Sequence, residues 1–178
     1  MNAVIKYIRK DEWSPYVAGI LLGLVGIATV WTANTTLGAS GGFENIAGML
    51  GKLVAPDFIK SNVYFNSVMK PEITFPVILL VGIFFGGMLG AFTSGTFKFR
   101  TMDDEQWKTA YGAQPWKRWA LLFVGAIILE YAAGIAGGCT SGLAISGGML
   151  LAPSAFLFIA GMFASGIATA WLVYGKKY

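Results

Sequence analysis

Four stretches of this chain are apolar for long enough to cross a bilayer, which fixes its solvent before any other feature is considered. They cover residues 15–32 (PYVAGILLGLVGIATVWT), 74–93 (TFPVILLVGIFFGGMLGAFT), 119–136 (WALLFVGAIILEYAAGIA) and 153–174 (PSAFLFIAGMFASGIATAWLVY). A helix rising 1.5 Å per residue covers about 30 Å of hydrocarbon with about 17–25 such residues. Pro15, Pro76 and Pro153 stand at or near the start of three of them, where a missing N–H costs little. Composition agrees: 56% of residues are hydrophobic and 12% charged, against about 25% charged in soluble domains. The expected fold is an all-α membrane protein with four transmembrane helices. Residues 15–32 are read as a span and not a signal peptide, because the apolar run exceeds a signal core and no small-x-small cleavage site follows.

Lysine and arginine give the orientation. In a four-span arrangement Lys6, Arg9, Lys10, Lys98, Arg100, Lys108, Lys117, Arg118, Lys176 and Lys177 share one side, and only Lys52, Lys60 and Lys70 lie on the other. The positive-inside rule then places both termini in the cytoplasm of a multi-pass inner-membrane protein. The connection 97–118, which also holds Asp103, Asp104 and Glu105, reads as a solvated cytoplasmic loop. A net charge of +4, with the basic residues flanking apolar segments, gives no support for nucleic-acid binding. There is no histidine, and the single cysteine, Cys139, has no partner for an internal disulfide. No metal, haem or nucleotide motif is recognisable, so no cofactor is expected.

The chain reads as one domain built on a parallel internal repeat, with repeat one at about 15–96 and repeat two at about 119–175. In each, a span leads into a Gly/Ser/Thr-rich segment ending Met-Leu (TTLGASGGFENIAGML, then GGCTSGLAISGGML) and then into a span rich in small residues. Segments 35–50 and 137–150 are too apolar for exposed loops and too short and glycine-rich for full spans. Such a stretch enters a bilayer only where protein or a cavity covers it. Both are read as re-entrant half-helices, entering from the extracytoplasmic side. The polar stretch 52–72, with Pro56 and Pro71, reads as an external loop with short interfacial helices.

The second of these segments carries the chemistry. In Gly137-Gly138-Cys139-Thr140-Ser141-Gly142 the glycines allow unusual backbone angles and close approach. Thr140 and Ser141 supply hydroxyls, and Cys139 a soft S–H. A half-helix over 143–150 would aim its N-terminal N–H groups, about half a positive charge, into a cavity. That set suits a small anion, particularly one containing sulfur. Ser40, Gly41 and Gly42 are a weaker copy without cysteine. The plainer alternative is that Cys139 is a small buried apolar residue and the glycines serve packing. Glu130, the one acid inside a span, is a proton carrier, a counter-charge or a protonated hydrogen-bonding group; nine residues from Cys139, it would face the opposite side of a continuous helix. Glu44 lies at the mouth of the first segment or in a solvated loop. The ladders Gly19-Gly23-Gly26, Gly82-Gly86-Gly90 and Gly161-Ser165 fit close helix contacts, and the Thr93-Ser94-Gly95 turn is either an exit lining or a plain helix end.

The run AGGCTSGLAISG over residues 136–147 resembles the signature loop of the YeeE/YedE family of sulfur-compound transporters. The earlier Leu37-Gly38-Ala39-Ser40-Gly41 and the small-residue spans extend the resemblance over the whole chain from the first span. It implies passage of a thiosulfate-like anion past Cys139, held by weak S–H contacts and helix ends without stable covalent capture. The chain departs from the family pattern in two places. The family loop usually continues with His where Leu143 stands here, and it often has Arg near the position of Gly134. Both changes remove polar character and put the substrate in question. Full-length members carry two such halves, each with a cysteine loop. The resemblance therefore implies a half-size subunit whose pore is completed by a second copy or another half-size membrane subunit.

Two other functions compete. A non-transporting membrane scaffold or anchor within a larger complex would also need these spans. A thiol-dependent sulfurtransferase would need an activated thiolate, and no base accompanies Cys139 in the sequence, so an enzyme is not expected.

Overall fold

The computed structural model describes residues 8–10, 12–99, 105–112 and 114–175. Lys6, Arg100, Lys176 and Lys177, used above for orientation, and Asp103 and Asp104 of the 97–118 connection lie outside the described residues. In order, the elements are α1 (Pro15–Ala33), α2 (Ser40–Val54), α3 (Pro56–Ser61), the π-helical turn π1 (Tyr64–Val68), α4 (Phe75–Ser94), α5 (Glu105–Tyr111), α6 (Pro115–Ala136), the π-helix π2 (Thr140–Ser146) running directly into α7 (Gly147–Met149), and α8 (Pro153–Tyr174). No strand occurs among the described residues.

Four helices, α1, α4, α6 and α8, are long and apolar enough to cross a membrane. They match the four apolar stretches, and the chain is an all-α, multi-pass membrane protein. Each opens with proline in its first turn, where the ring fits the helix and no intrahelical N–H is lost. Three of them close on a left-handed residue: Asn34 (φ 50°), Gly95 (φ 74°) and Gly137 (φ 80°).

The four spans do not form a conventional bundle among themselves. At most 11% of any span's apolar stretch is buried within the chain. The close packing belongs to the short helices. A Cβ added at Gly42 of α2 would lie 2.7 Å from the Pro76 carbonyl oxygen and 2.6 Å from Leu80 Cδ1, and one at Gly48 would lie 2.9 Å from Pro71 and from Phe65. Between them Asn45, only 1% exposed, donates to the Lys70 carbonyl at 2.6 Å and accepts from the Thr74 hydroxyl at 2.6 Å. Along α2 from Gly42 through Asn45 to Gly48, the neighbours step back from Leu80 to Thr74 to Pro71. The amino end of α2 is therefore the end set furthest along α4. In the second half, an added Cβ at Gly147 would lie 2.9 Å from the Ala155 methyl in the first turn of α8, and Ala155 is 1% exposed.

Several expectations are corrected. The third span starts at Pro115, four residues before the expected 119, because Gln114 is extended and Pro115 opens the helix. The connection 97–118 is not simply a solvated loop. It contains α5, whose Trp107 is 6% exposed and stacks on Tyr111 at 4.5 Å, while the Tyr111 hydroxyl donates to the Val173 carbonyl at the end of α8. The glycine ladders are not close helix contacts within this chain. Gly19, Gly23, Gly82, Gly86, Gly90 and Gly161 have nothing within 4 Å of an added Cβ. Only Gly26 is tight, with Met149 Sδ 2.5 Å from that position.

Candidate functional site

The glycines before Cys139 end α6. Gly137 takes φ +80° and Gly138 φ +156°, conformations L side chains rarely adopt. The Gly138 N–H reaches back to the Ala133 carbonyl at 2.9 Å, the hydrogen bond of a Schellman-type stop. The chain then reverses, and Cys139, extended at φ −88° and ψ −175°, becomes the cap residue of π2. The short helix thus begins at Thr140, three residues before the expected 143. Cys139 stands at its mouth, and Thr140 and Ser141 lie in its first turn. Leu143, whose N–H closes that turn on the Cys139 carbonyl at 2.8 Å, lays its side chain against Gly138, 3.4 Å from an added Cβ there.

The two glycine-rich segments meet at this point. The Ala39 N–H donates to Ser141 Oγ at 3.0 Å. The Ser146 hydroxyl donates to the Leu37 carbonyl at 3.0 Å, in a fully buried bond between residues 109 apart in sequence. Cys139 Sγ lies 3.0 Å from Ser141 Oγ and within hydrogen-bonding reach of the Ser40 hydroxyl, the Ser40 N–H and the Gly142 N–H. Neither α2 nor π2 is capped by a side chain of its own. First-turn N–H groups from both helices therefore converge on one sulfur, and each helix start contributes positive potential there.

The sequence candidates separate on this geometry. Gly138, Cys139, Thr140, Ser141, Gly142 and Ser40 are brought together. Gly41 sits one residue further along α2, and an added Cβ there would touch Met69 Cε at 3.5 Å. Glu130 does not line the cavity below Cys139. It lies in the span α6, and its Oε1 is buried without a hydrogen-bond partner. Glu44 lies in α2, not in a loop, and accepts a hydrogen bond from the Tyr64 phenol. Burial, then that bond and the charges of Glu44 and Glu130, push the Tyr64 pKa up to about 12, so the phenol stays a donor near neutral pH. The Thr93-Ser94-Gly95 turn closes α4 with left-handed Gly95. Sequence reasoning missed Leu37, Ala39 and Ser146. A hydroxyl inside an otherwise apolar, glycine-rich run was the available signal for Ser146.

Cys139 opens onto a cavity of about 470 Å³ between α6 and α8. Cys139 and Thr140 close one end, and Ala133, Ala136, Gly161 and Ser165 line the walls. A larger, mainly apolar groove of about 850 Å³, lined also by Asn34, Thr36 and Ser146, lies between α1 and the second short helix and does not include Cys139. Among the described residues no group of His, Cys, Asp or Glu is placed to hold a metal ion.

The thiosulfate transporter TsuA of Escherichia coli (strain K12) is 28% identical over 176 residues, which is 97% of this chain and 43% of that protein. The chain thus spans less than half the length of that relative, which is a transporter and not an enzyme. No solved structure matches. A family model described as "Sulphur transport" matches residues 2–169. With nearly its whole length inside that match, the chain belongs to the sulphur transport family.

Proposed function

We propose that this chain is a membrane transporter or channel subunit that passes a small sulfur-containing anion of the thiosulfate type past Cys139. The observation that carries this reading is the convergence of two helix starts and three hydroxyl-bearing residues, Ser40, Thr140 and Ser141, around one thiol at the head of a cavity. Backbone N–H groups and hydroxyls attract negative charge. The thiol adds a weak, polarizable contact suited to a sulfur atom. In this reading the anion is held by these donors and released without stable covalent capture. The name of the E. coli relative supports the substrate class.

In this reading α2 and the π2–α7 unit are re-entrant half-helices of two parallel repeats, 15–96 and 119–175. Support comes from the amino end of α2 lying beyond the first turn of α4, and from the same order of span, short helix and proline-led span in each half. The pore is completed by oligomerisation, with a second copy or another membrane subunit. Spans left almost bare within the chain and a single cysteine-bearing loop support this. The clustering of lysine and arginine supports an inner-membrane protein with both termini in the cytoplasm.

The test is uptake of labelled thiosulfate into liposomes holding the purified chain. Uptake above protein-free liposomes is expected. No uptake, together with stable co-purification of unrelated membrane subunits, would instead establish the scaffold reading.

A further inference from the structure

We infer that the anion leaves Cys139 along the slot between α6 and α8, and that Ser165 is the next polar station on that route; this rests on the transport reading above. Three observations carry it. First, the cavity does not end at the thiol. It reaches back along α6 from Ala136 to Leu129 and forward along α8 from Phe158 to Ser165. Each stretch covers about 10 Å at 1.5 Å per residue. The slot therefore runs from the cysteine loop into the middle of both spans, away from the outer end of the molecule in the proposed orientation.

Second, α6 and α8 do not close on each other along this length. The walls are Leu129, Ala132, Ala133 and Ala136 on one side and Phe158, Gly161 and Met162 on the other. Nothing lies within 4 Å of an added Cβ at Gly161. Small residues in membrane helices ordinarily permit close contact; here Gly161 and Ser165 stay exposed within the chain, so the slot is open on one side and the second subunit of the proposed pore closes it. At about 470 Å³ the slot holds a small anion with part of its water.

Third, polar groups are sparse in the slot. Apart from Cys139 and Thr140 at its head, Ser165 supplies the one side-chain hydroxyl among its lining residues. That hydroxyl donates to the Met162 carbonyl one turn back, at 3.1 Å, and can turn to donate to an anion instead. An anion crossing apolar walls needs a replacement for lost hydration at intervals, and Ser165 lies at the far end of the slot from the cysteine loop. It positions the anion in transit and takes part in no chemistry.

The experiment is labelled thiosulfate uptake by liposomes holding the full chain, comparing the parent with Gly161→Leu, Ser165→Ala and Gly166→Leu. The isobutyl group at Gly161 fills the slot, and uptake is expected to fall at least about tenfold, the effect of about 1.4 kcal/mol on a barrier. Ser165→Ala is expected to lower uptake severalfold. Gly166→Leu, on another face of the same helix with open space around it, is expected to transport like the parent. Parent-like uptake by Gly161→Leu would overturn the route while leaving the transport reading intact. No uptake by the parent would remove the reading itself. Should Gly161→Leu fail to assemble, Ser165→Cys in a Cys139→Ser background decides the matter. A sulfonate-bearing methanethiosulfonate should label the introduced thiol if it faces a wet path, and absence of labelling would overturn the route.

Discussion

Replacing Ser146 by alanine should destabilise the junction that holds Cys139 in place. Ser146 is 4% exposed and Leu37 5% exposed, so the substitution leaves a buried acceptor at the Leu37 carbonyl. A net hydrogen bond is worth about 0.5–1.5 kcal/mol, and an orphaned buried acceptor costs about 1–3 kcal/mol. Hydrogen bonds between membrane helices run lower, about 0.6–1.7 kcal/mol, so a loss of about 1–2 kcal/mol is expected here. Equilibrium unfolding in mixed micelles of sodium dodecyl sulfate and a mild detergent measures it. The control is Thr169→Ala, whose hydroxyl bonds within one helix to the Ser165 carbonyl at 2.8 Å in an exposed position and should cost under about 0.5 kcal/mol. The same loss frees the 37–42 segment from π2, so a maleimide should modify Cys139 faster in Ser146→Ala than in the parent. If Ser146→Ala is no less stable than Thr169→Ala and its thiol reacts no faster, the two glycine-rich segments are not held together as described.

Three further outcomes follow from the packing. Gly42→Val places a side chain 2.7 Å from a backbone oxygen of α4 and should cost about 3 kcal/mol or more, beyond ordinary overpacking, read as loss of folded protein in the same unfolding assay. Asn45→Ala removes its hydrogen bonds to Lys70 and Thr74, which tie α2 to the segment leading into α4, and should cost at least about 2 kcal/mol, with parent-like stability contradicting the role given to it. The Tyr64 phenol, raised from 10.0 to about 12, binds its proton more tightly in the folded chain. Its contribution to stability is therefore complete below about pH 10 and is lost as pH rises toward about 12. The stability difference between the parent and Tyr64→Phe should shrink across that window and stay constant from about pH 7 to about pH 9.

The spans were legible because their physics is one-dimensional. An apolar run and a proline at its head locate α1, α4 and α8 within a residue or two. The start of α6 was less clear because Trp116, Lys117 and Arg118 are interfacial residues that hydropathy excludes, although Pro115 marks it. Where the second short helix begins could not be read off, since 137–150 has no hydrophobic period, and a π-helical first turn shifts the register. Reading the glycine ladders as close contacts failed because a small residue looks the same whether it admits a neighbour or leaves a void. Only Gly26 does the first, against Met149, while Gly161 does the second. The meeting of Ser146 with Leu37 and of Ser141 with Ala39 spans more than 100 residues and leaves no local trace in sequence.

The most direct test of the account compares thiosulfate uptake by liposomes carrying the parent chain with uptake by Cys139→Ala at equal reconstituted protein. The sulfur stands where the starts of α2 and π2 meet, so removing it alone should reduce uptake by at least about tenfold while unfolding stability stays near that of the parent. Uptake by Cys139→Ala equal to the parent's would contradict the claim that the anion passes this thiol.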